Sequence, residues 1–162
     1  MSVAFTREED LEAAAAHLPD RPISPHRNLV TPEGLKALET GLAEARAAYA
    51  AAQVAGDVQA DRTAMAKATR DLRYFTARVR TAEPVTAEAP AGVVAFGRRV
   101  TFERDDGRRQ TYRIVGEDEA DPARGTISYV SPLAAALLGR AVGDLVPFGD
   151  GDLEILAADE PA

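Results

Sequence analysis

The stretch Leu35–Ala52, LKALETGLAEARAAYAAA, places apolar residues at alternating spacings of three and four. This heptad spacing is typical of a helix that packs along one seam against another helix. A second segment after Gly56 repeats the spacing. The seam residues are Leu35, Leu38, Leu42, Ala45, Tyr49 and Ala52, followed by Met65, Ala68, Leu72, Phe75, Val79 and Ala82. The two seams predict an antiparallel helical hairpin, a coiled coil, centred between Val58 and Gln59.

The residues before the hairpin read as an N-terminal appendage. Thr31-Pro32 starts the hairpin, with Thr as N-cap and Pro at the first helical position, so the hairpin spans 31–82. Within the appendage, residues 1–30, Thr6–Glu9 fits a capping box and predicts a short helix through about His17. The three prolines that then hold the chain extended are Pro19, Pro22 and Pro25.

The residues after the hairpin predict a small β-rich domain. Residues 83–92 contain two prolines and a glycine and read as a linker. The predicted strands are Val93–Arg104, Arg109–Val115, Thr126–Val130, Leu145–Phe148 and Leu153–Leu156, with a hairpin turn at Asp105–Gly107. Ser131-Pro132 caps one short helix that runs through Leu138. Residues 93–162 therefore predict an antiparallel domain, and the whole chain an α+β fold.

Composition excludes several classes of function. The chain of 162 residues has no Cys and only two His, so it lacks the ligands for disulfides and for Cys- or His-built metal sites. It has no apolar run long enough to span a membrane and no apolar signal core at its start, which favours a cytoplasmic protein. A net charge of -7 argues against free binding to duplex nucleic acid, because phosphate contacts need a basic face.

Several short motifs resemble the Gre family of bacterial transcript-cleavage factors. In the C-terminal part they are Phe96-Gly97, Val100, Tyr112–Asp121, Ile127-Ser128, Ser131-Pro132, Leu138-Gly139 and Gly143-Asp144. In the N-terminal part they are Thr31, Gly34, Leu38, Leu42 and Gly56-Asp57. The resemblance covers roughly residues 31–158 and is densest in the C-terminal part.

The resemblance implies a fold, a partner and a mode of action. It implies an FKBP-like C-terminal domain that docks on bacterial RNA polymerase, and a coiled coil that enters the secondary channel of the polymerase. The docking residues it implies are Asp118, Glu119, Asp121, Ser131 and Pro132. The factor would be a monomeric elongation factor, not itself an enzyme, and would touch nascent RNA or DNA only within the complex. It would have no cofactor of its own and would share the active-site Mg²⁺ of the polymerase.

The tip of the hairpin departs from the pattern of the family, which is Gly-Asp-x-x-Glu-Asn. Here residues 56–61 read Gly-Asp-Val-Gln-Ala-Asp, so Asp57 matches, Ala60 stands at the Glu position and Asp61 follows it. Asp57 and Asp61 are the candidate carboxylates for the polymerase Mg²⁺, and they are equally well explained as capping residues at a turn. Each arm is also about one heptad shorter than in a typical cleavage factor of the family, which reduces its reach by roughly 10 Å.

Other interpretations stay open at the level of sequence. A Gre-like protein can occupy the channel and regulate or inhibit without stimulating cleavage. An FKBP-like fold also suggests a prolyl isomerase, and the chain could be an interaction module unrelated to transcription. The run Asp118–Asp121 spells a helicase motif, but no phosphate-binding loop accompanies it. The arginines of the second helix are expected on a solvated face, with contacts to an acidic polymerase surface as the alternative. They are Arg70, Arg73, Arg78 and Arg80.

Overall fold

The computed structural model describes residues 18–55, 60–86 and 88–159, without the side chains of residues 60 and 61. These residues form two compact units. The helical unit comprises residues 18–25 and 36–81, and the sheet unit comprises residues 26–35 and 82–159. The predicted helix that ends near His17 and the turn at residues 56–59 lie outside the described residues.

Two long helices follow the two heptad seams. Helix α1 is Pro32–Val54 and helix α2 is Ala60–Thr81. Thr31 caps α1, since its hydroxyl oxygen accepts from the backbone N–H of Gly34 at 3.0 Å. Ala52 and Met65 line the same groove near the connection between the helices. The predicted antiparallel hairpin is therefore confirmed.

The seam of the hairpin is built from small residues and a few large ones. Leu38, Leu42, Ala45 and Ala68 are buried. A Cβ added at Gly41 would come within 2.5 Å of the Phe75 ring, so this glycine lets the ring lie directly against α1. Such alternation of small and large side chains brings two helices close together.

Residues 18–25 lie along α2. The Arg21 guanidinium stacks 3.8 Å from the centre of the Tyr74 ring and lies 3.4 Å from the Asp71 carboxylate. Asp20 pairs with Arg73 at 3.0 Å. The expectation that Arg78 lies on a solvated face is wrong, because its residue is only 2% exposed. Arg78 is one turn beyond Tyr74, on the same face of α2.

A short pair of strands opens the sheet unit. Strand β1, Leu29–Val30, runs parallel to β2, Glu83–Pro84. The backbone N–H of Glu83 donates to the Asn28 carbonyl at 2.8 Å, and the Arg27 guanidinium pairs with the Glu83 carboxylate at 2.9 Å. Residues read from the sequence as appendage and linker thus pair with each other.

The main sheet has five strands in the order β5-β4-β3-β7-β6. The strands are β3 Arg99–Arg104, β4 Arg109–Val115, β5 Thr126–Ser128, β6 Leu145–Phe148 and β7 Gly151–Asp159. The prediction of a purely antiparallel sheet is wrong, because β5 pairs with β4 in parallel. The connection of residues 116–125 carries the chain back to Arg113 of β4, opposite which β5 starts, so β5 runs in the same direction.

The core of the sheet unit lies between the sheet and one short helix, α3, Pro132–Leu137. Phe102, Ile114 and Leu137 are 0% exposed, and the Phe102 ring stacks on Tyr112 at 6.2 Å between ring centres. The two long helices α1 and α2, followed by a mixed sheet, confirm the predicted α+β class. In the described part of the chain, no helix is both long and apolar enough to cross a membrane.

Candidate functional site

The acidic connection between β4 and β5 folds into two single turns of 3₁₀ helix. The first is Glu117–Glu119 and the second is Pro122–Arg124. The Thr126 hydroxyl joins them, because it accepts from the backbone N–H of Asp121 at 2.8 Å and donates to the Glu119 carbonyl at 3.1 Å. Hydrogen bonds to a single residue of β5 thus link the two turns of the connection.

Glu119 completes the cap of a helix that lies 88 residues away in sequence. Its carboxylate accepts from the backbone N–H of Thr31 at 3.1 Å, from the Thr31 hydroxyl, and from the backbone N–H of Gly116 at 3.2 Å. In an ordinary capping box, a Glu at the third helical position reaches back to the N–H of the capping residue. Here that position is Gly34, and Glu119 supplies the carboxylate instead.

The glycine at position 34 leaves room for this carboxylate. A Cβ at Gly34 would overlap the Glu119 carboxylate, and a Cβ at Gly116 would overlap the Leu29 carbonyl. Thr31 is only 1% exposed, so its polar groups depend on Glu119 for hydrogen bonds. This contact was not predicted from the sequence. The available signal was Gly34 itself, since Gly is unfavourable inside a helix unless the space is needed.

The five predicted docking residues divide into two groups. Glu119 and Ser131 are used within the chain, because Ser131 caps α3 by accepting from the backbone N–H of Ala134 at 3.3 Å. Asp118, Asp121 and Pro132 are exposed. Asp121 pairs with Arg124 at 3.5 Å, with half of its side chain exposed. The acidic turn and the start of α3 flank the edge strand β5, so these exposed groups border one edge of the sheet.

The second predicted site is the tip of the hairpin. Asp57 lies outside the described residues, and Asp61 belongs to the first turn of α2 with its side chain outside the description. Among the described residues, no group of three or more His, Cys, Asp or Glu side chains could hold a metal ion. Two tip carboxylates alone would leave most coordination positions of a Mg²⁺ to other ligands.

Comparison with known proteins gives one consistent result. The family model "Transcription elongation factor, GreA/GreB, C-term" matches residues 89–157. Transcription elongation factor GreB of Neisseria meningitidis serogroup B is 39% identical over 110 residues, which cover 64% of this chain and 68% of the relative. Transcription elongation factor GreA of Desulfovibrio desulfuricans is 35% identical over 132 residues, covering 72% and 82%.

A solved structure, the transcription elongation factor GreA/GreB from Nitrosomonas europaea, aligns with 80% of this chain and 97% of its own. It does so at 21% identity and a TM-score of 0.40. The relatives in sequence reach 35% identity over more than two thirds of their own length, a level at which common descent is the explanation. This chain belongs to the GreA/GreB family of transcription elongation factors.

Proposed function

We propose that the protein binds bacterial RNA polymerase through its sheet unit and inserts the helical hairpin into the secondary channel, where it acts on backtracked complexes. The match of residues 89–157 to the family's C-terminal model carries this proposal. The protein would act as a monomer in the cytoplasm, where the polymerase works. It would have no active site of its own, and it would meet nascent RNA or DNA only inside the complex.

The exposed groups beside β5 support docking on a basic surface. Asp118, Asp121 and Pro132 are exposed there, and the chain carries a net charge of -7. Complementary charges of this kind mainly accelerate association and make it sensitive to salt.

Asp121→Ala should slow association with polymerase at low salt, with a smaller difference at high salt. Asp150→Ala, exposed on a different turn, is the matched control. Equal association rates for both variants would contradict this docking surface.

The tip of the hairpin is the proposed point of action on the RNA. Asp57, together with Asp61, would help to hold the polymerase Mg²⁺ and orient the attacking water, and the polymerase would cleave its own RNA. When bound, that ion supplies the Lewis acid and lowers the pKa of the bound water. The protein would contribute one or two carboxylate oxygens to an ion that the polymerase already holds.

Occupancy of the channel without cleavage is the second candidate. Ala60 stands where the family has a Glu, and it is the first residue of α2. The arms are 23 and 22 residues long, about 35 Å at 1.5 Å per residue. A shorter arm with fewer acids would block the channel against longer factors.

In the described sheet unit, Phe96 and Phe102 are buried in the core, so they do not wall a pocket of the kind a prolyl isomerase would need.

A cleavage assay on a halted, backtracked elongation complex separates these candidates. If the tip acts at the metal, the protein shortens the RNA, and Asp57→Asn removes most of this activity while binding is unchanged. If the protein only occupies the channel, it cleaves nothing and displaces a full-length cleavage factor. Strong cleavage by a variant lacking both Asp57 and Asp61 would contradict the proposed role of the tip. Failure to retain polymerase in a pull-down would contradict the whole proposal.

A further inference from the structure

Strand β6, Leu145–Phe148, forms one edge of the five-stranded sheet. Val146 is 1% exposed, whereas Leu145 is 63% exposed and Pro147 is exposed as well. Val142, shortly before the strand, is 48% exposed. Single exposed apolar side chains are common, but the two exposed large apolar residues of the described sheet unit both lie at this edge. The edge therefore presents an apolar strip, made of Val142, Leu145 and Pro147.

An acidic row lies beside this strip. Strand β7 pairs with β6 so that Glu154 is opposite Leu145 and Asp152 is opposite Pro147. Directly opposite side chains share a face of the sheet and have Cβ atoms about 5 Å apart. That face is the outer one, because the alternate residue Val146 points into the core. Both acids are exposed, and within the described part of the chain neither carboxylate forms an ion pair.

Glu154 also lies beside a second acid. On the other side of β7, Glu154 is opposite Glu103 of β3. Like charges directly opposite each other on neighbouring strands are destabilising. The Arg109 guanidinium donates to the Glu103 carboxylate at 2.7 Å, but no described residue neutralises Glu154. A cation brought to Glu154 from outside the chain would relieve the repulsion, so the acidic row favours a basic partner.

The backbone of the β6 edge limits the shape of that partner. The N–H of Ile155 donates to the Asp144 carbonyl at 3.0 Å, so Ile155 directs its N–H toward β6. Because these directions alternate along a strand, Leu153 bonds to Val146, and the backbone of Pro147 is directed away from β7. Proline has no N–H to donate at that free edge. A partner strand therefore cannot pair along the whole edge.

A helix matches the two rows better than a strand does. Leu145 and Pro147 are two positions apart on one strand, a distance of about 6.5 Å. Residues four positions apart on a helix are separated by about 6 Å along its axis. Two apolar side chains of a helix can therefore rest on Leu145 and Pro147, while a neighbouring row of Lys or Arg side chains reaches Asp152 and Glu154.

We propose that the outer face of β6 and β7 is a second protein-binding surface, and that it binds a helix with an apolar row beside a basic row. The apolar row packs on the apolar strip, and the basic side chains pair with Asp152 and Glu154. This surface is separate from the acidic turn, because β6 and β5 are opposite edges of the sheet. Measured along the sheet, the two edges are about 19 Å apart at about 4.8 Å between strands.

Titration of the full chain with a designed peptide, followed by NMR shifts of the backbone amides, tests this surface. The probe is an alanine-rich helical peptide of about 16 residues, with two Leu four positions apart and a neighbouring row of Lys. The amides of Leu145, Asp152 and Glu154 should shift most, and added salt should weaken binding. The same peptide with Glu in place of Lys should leave them unshifted. Shifts confined to residues 118–121, or equal shifts with both peptides, would overturn the proposal.

Charge reversal tests the acidic row. Asp152→Lys together with Glu154→Lys should weaken binding of the basic peptide about fivefold to tenfold, as expected for two exposed charge pairs. The matched control is Glu39→Lys with Glu88→Lys, which makes the same change in net charge at exposed positions and should preserve the affinity. Equal affinity of the two double variants would show that the acidic row does not recognise the peptide and would overturn the proposal.

Removal of one apolar side chain tests the strip. Leu145→Ser should weaken binding of the peptide about tenfold, because a partly buried apolar contact is lost. Ile23→Ser, at a 46% exposed residue of the helical unit, is the matched control and should leave the affinity unchanged. Equal affinity of these two variants would overturn the assignment of the strip as the apolar contact.

A second copy of the chain is the competing occupant of the strip. In that case the shift of the Leu145 amide would depend on protein concentration in the absence of peptide, and Leu145→Ser would remove this dependence. That outcome would overturn the proposal, whereas shifts independent of protein concentration are expected. None of these measurements uses polymerase, so their result is independent of the proposed function.

Discussion

The sheet unit and the helical unit bury their side chains in different ways. In the sheet unit, Phe102, Ile114 and Leu137 are fully buried between a sheet and a helix. In the helical unit, the buried apolar residues described are Leu38, Leu42, Ala45 and Ala68. A side chain between only two helices keeps one side open to water, so the hairpin relies on small residues and close approach. The sheet unit thus has an enclosed core, whereas the described seam of the helical unit is only partly enclosed.

The difference continues along the hairpin itself. Leu38, Leu42 and Ala45 are buried, whereas Tyr49 and Ala52 on the same seam are only half-buried. The apolar burial that stabilises a helix pair therefore declines toward the end that carries Asp57 and Asp61.

Truncation in the two cores should give the largest effects and should differ between them. Phe102→Ala should lower the free energy of unfolding by about 3–5 kcal/mol, because it empties a fully enclosed site. Leu42→Ala should cost about 2 kcal/mol, because a two-helix seam can partly close around the change. Equilibrium urea unfolding followed by circular dichroism measures both. A larger loss of unfolding free energy for Leu42→Ala than for Phe102→Ala would contradict the difference between the two cores.

Disrupting the cap that Glu119 supplies should have an intermediate effect on stability. Gly34→Ala should lower stability by about 1–3 kcal/mol, because its Cβ displaces the Glu119 carboxylate and leaves polar groups of buried Thr31 without their acceptor. Glu119→Ala should cost a similar amount, and the double variant should cost much less than the sum. Thermal unfolding of the two single variants and of the double variant completes the double-mutant cycle. Glu39→Ala, exposed on the same helix, should change stability by less than about 0.5 kcal/mol.

Two arginines allow a smaller, matched test of the two units. Arg21→Ala should destabilise the helical unit by about 1 kcal/mol, because it removes a stack on Tyr74 together with the Asp71 pair. Arg27→Ala removes a more exposed pair with Glu83 in the sheet unit and should cost less than about 0.5 kcal/mol. Urea midpoints of the two variants decide. An unchanged urea midpoint in Arg21→Ala would show that the contacts of Arg21 with α2 add nothing to stability.

The smallest expected effect is a dependence of the sheet unit on pH. The pKa of the Glu83 carboxyl is lowered chiefly by its hydrogen bond from Arg27, and that of Asp106 by the backbone N–H of Arg108. Glu33 has a lowered pKa chiefly because its own backbone N–H donates to it. A lowered pKa in the folded state contributes stability above the unfolded value, and this is lost as pH falls through the folded value.

Stability should therefore be flat from pH 7 to about pH 5 and fall below about pH 4.3, the ordinary pKa of Glu. Glu83→Gln should make this acid-induced loss slightly smaller, as measured by urea midpoints across the pH range. The effect should be small because these carboxyl groups face solvent. An identical slope in Glu83→Gln and the unchanged protein would exclude Glu83 as a source of the dependence.

Only part of the candidate site could be predicted from sequence. The position of the acidic turn followed from Gly116 to Asp121 and the Ser131-Pro132 helix start, and the structure has α3 beginning at Pro132. The sequence did not predict that Asp118 and Asp121 are exposed whereas the Glu119 carboxylate forms hydrogen bonds within the chain. Neighbouring acidic residues look alike in a sequence, and their directions depend on the 3₁₀ turn that holds them.

The sequence by itself determined the elements that depend on near neighbours. The heptad seams set the two long helices, Thr31 and Ser131 set the starts of α1 and α3, and the turn at Gly107 set the β3–β4 hairpin. Helix periodicity, capping and turns are all contacts within a few residues. The tertiary structure alone decided the contacts between distant residues. These are the Glu119 cap on Thr31, the parallel pairing of β5 with β4, and the burial of Arg78 on α2. Their physical reason is shared, since each forms only after folding brings separate segments side by side.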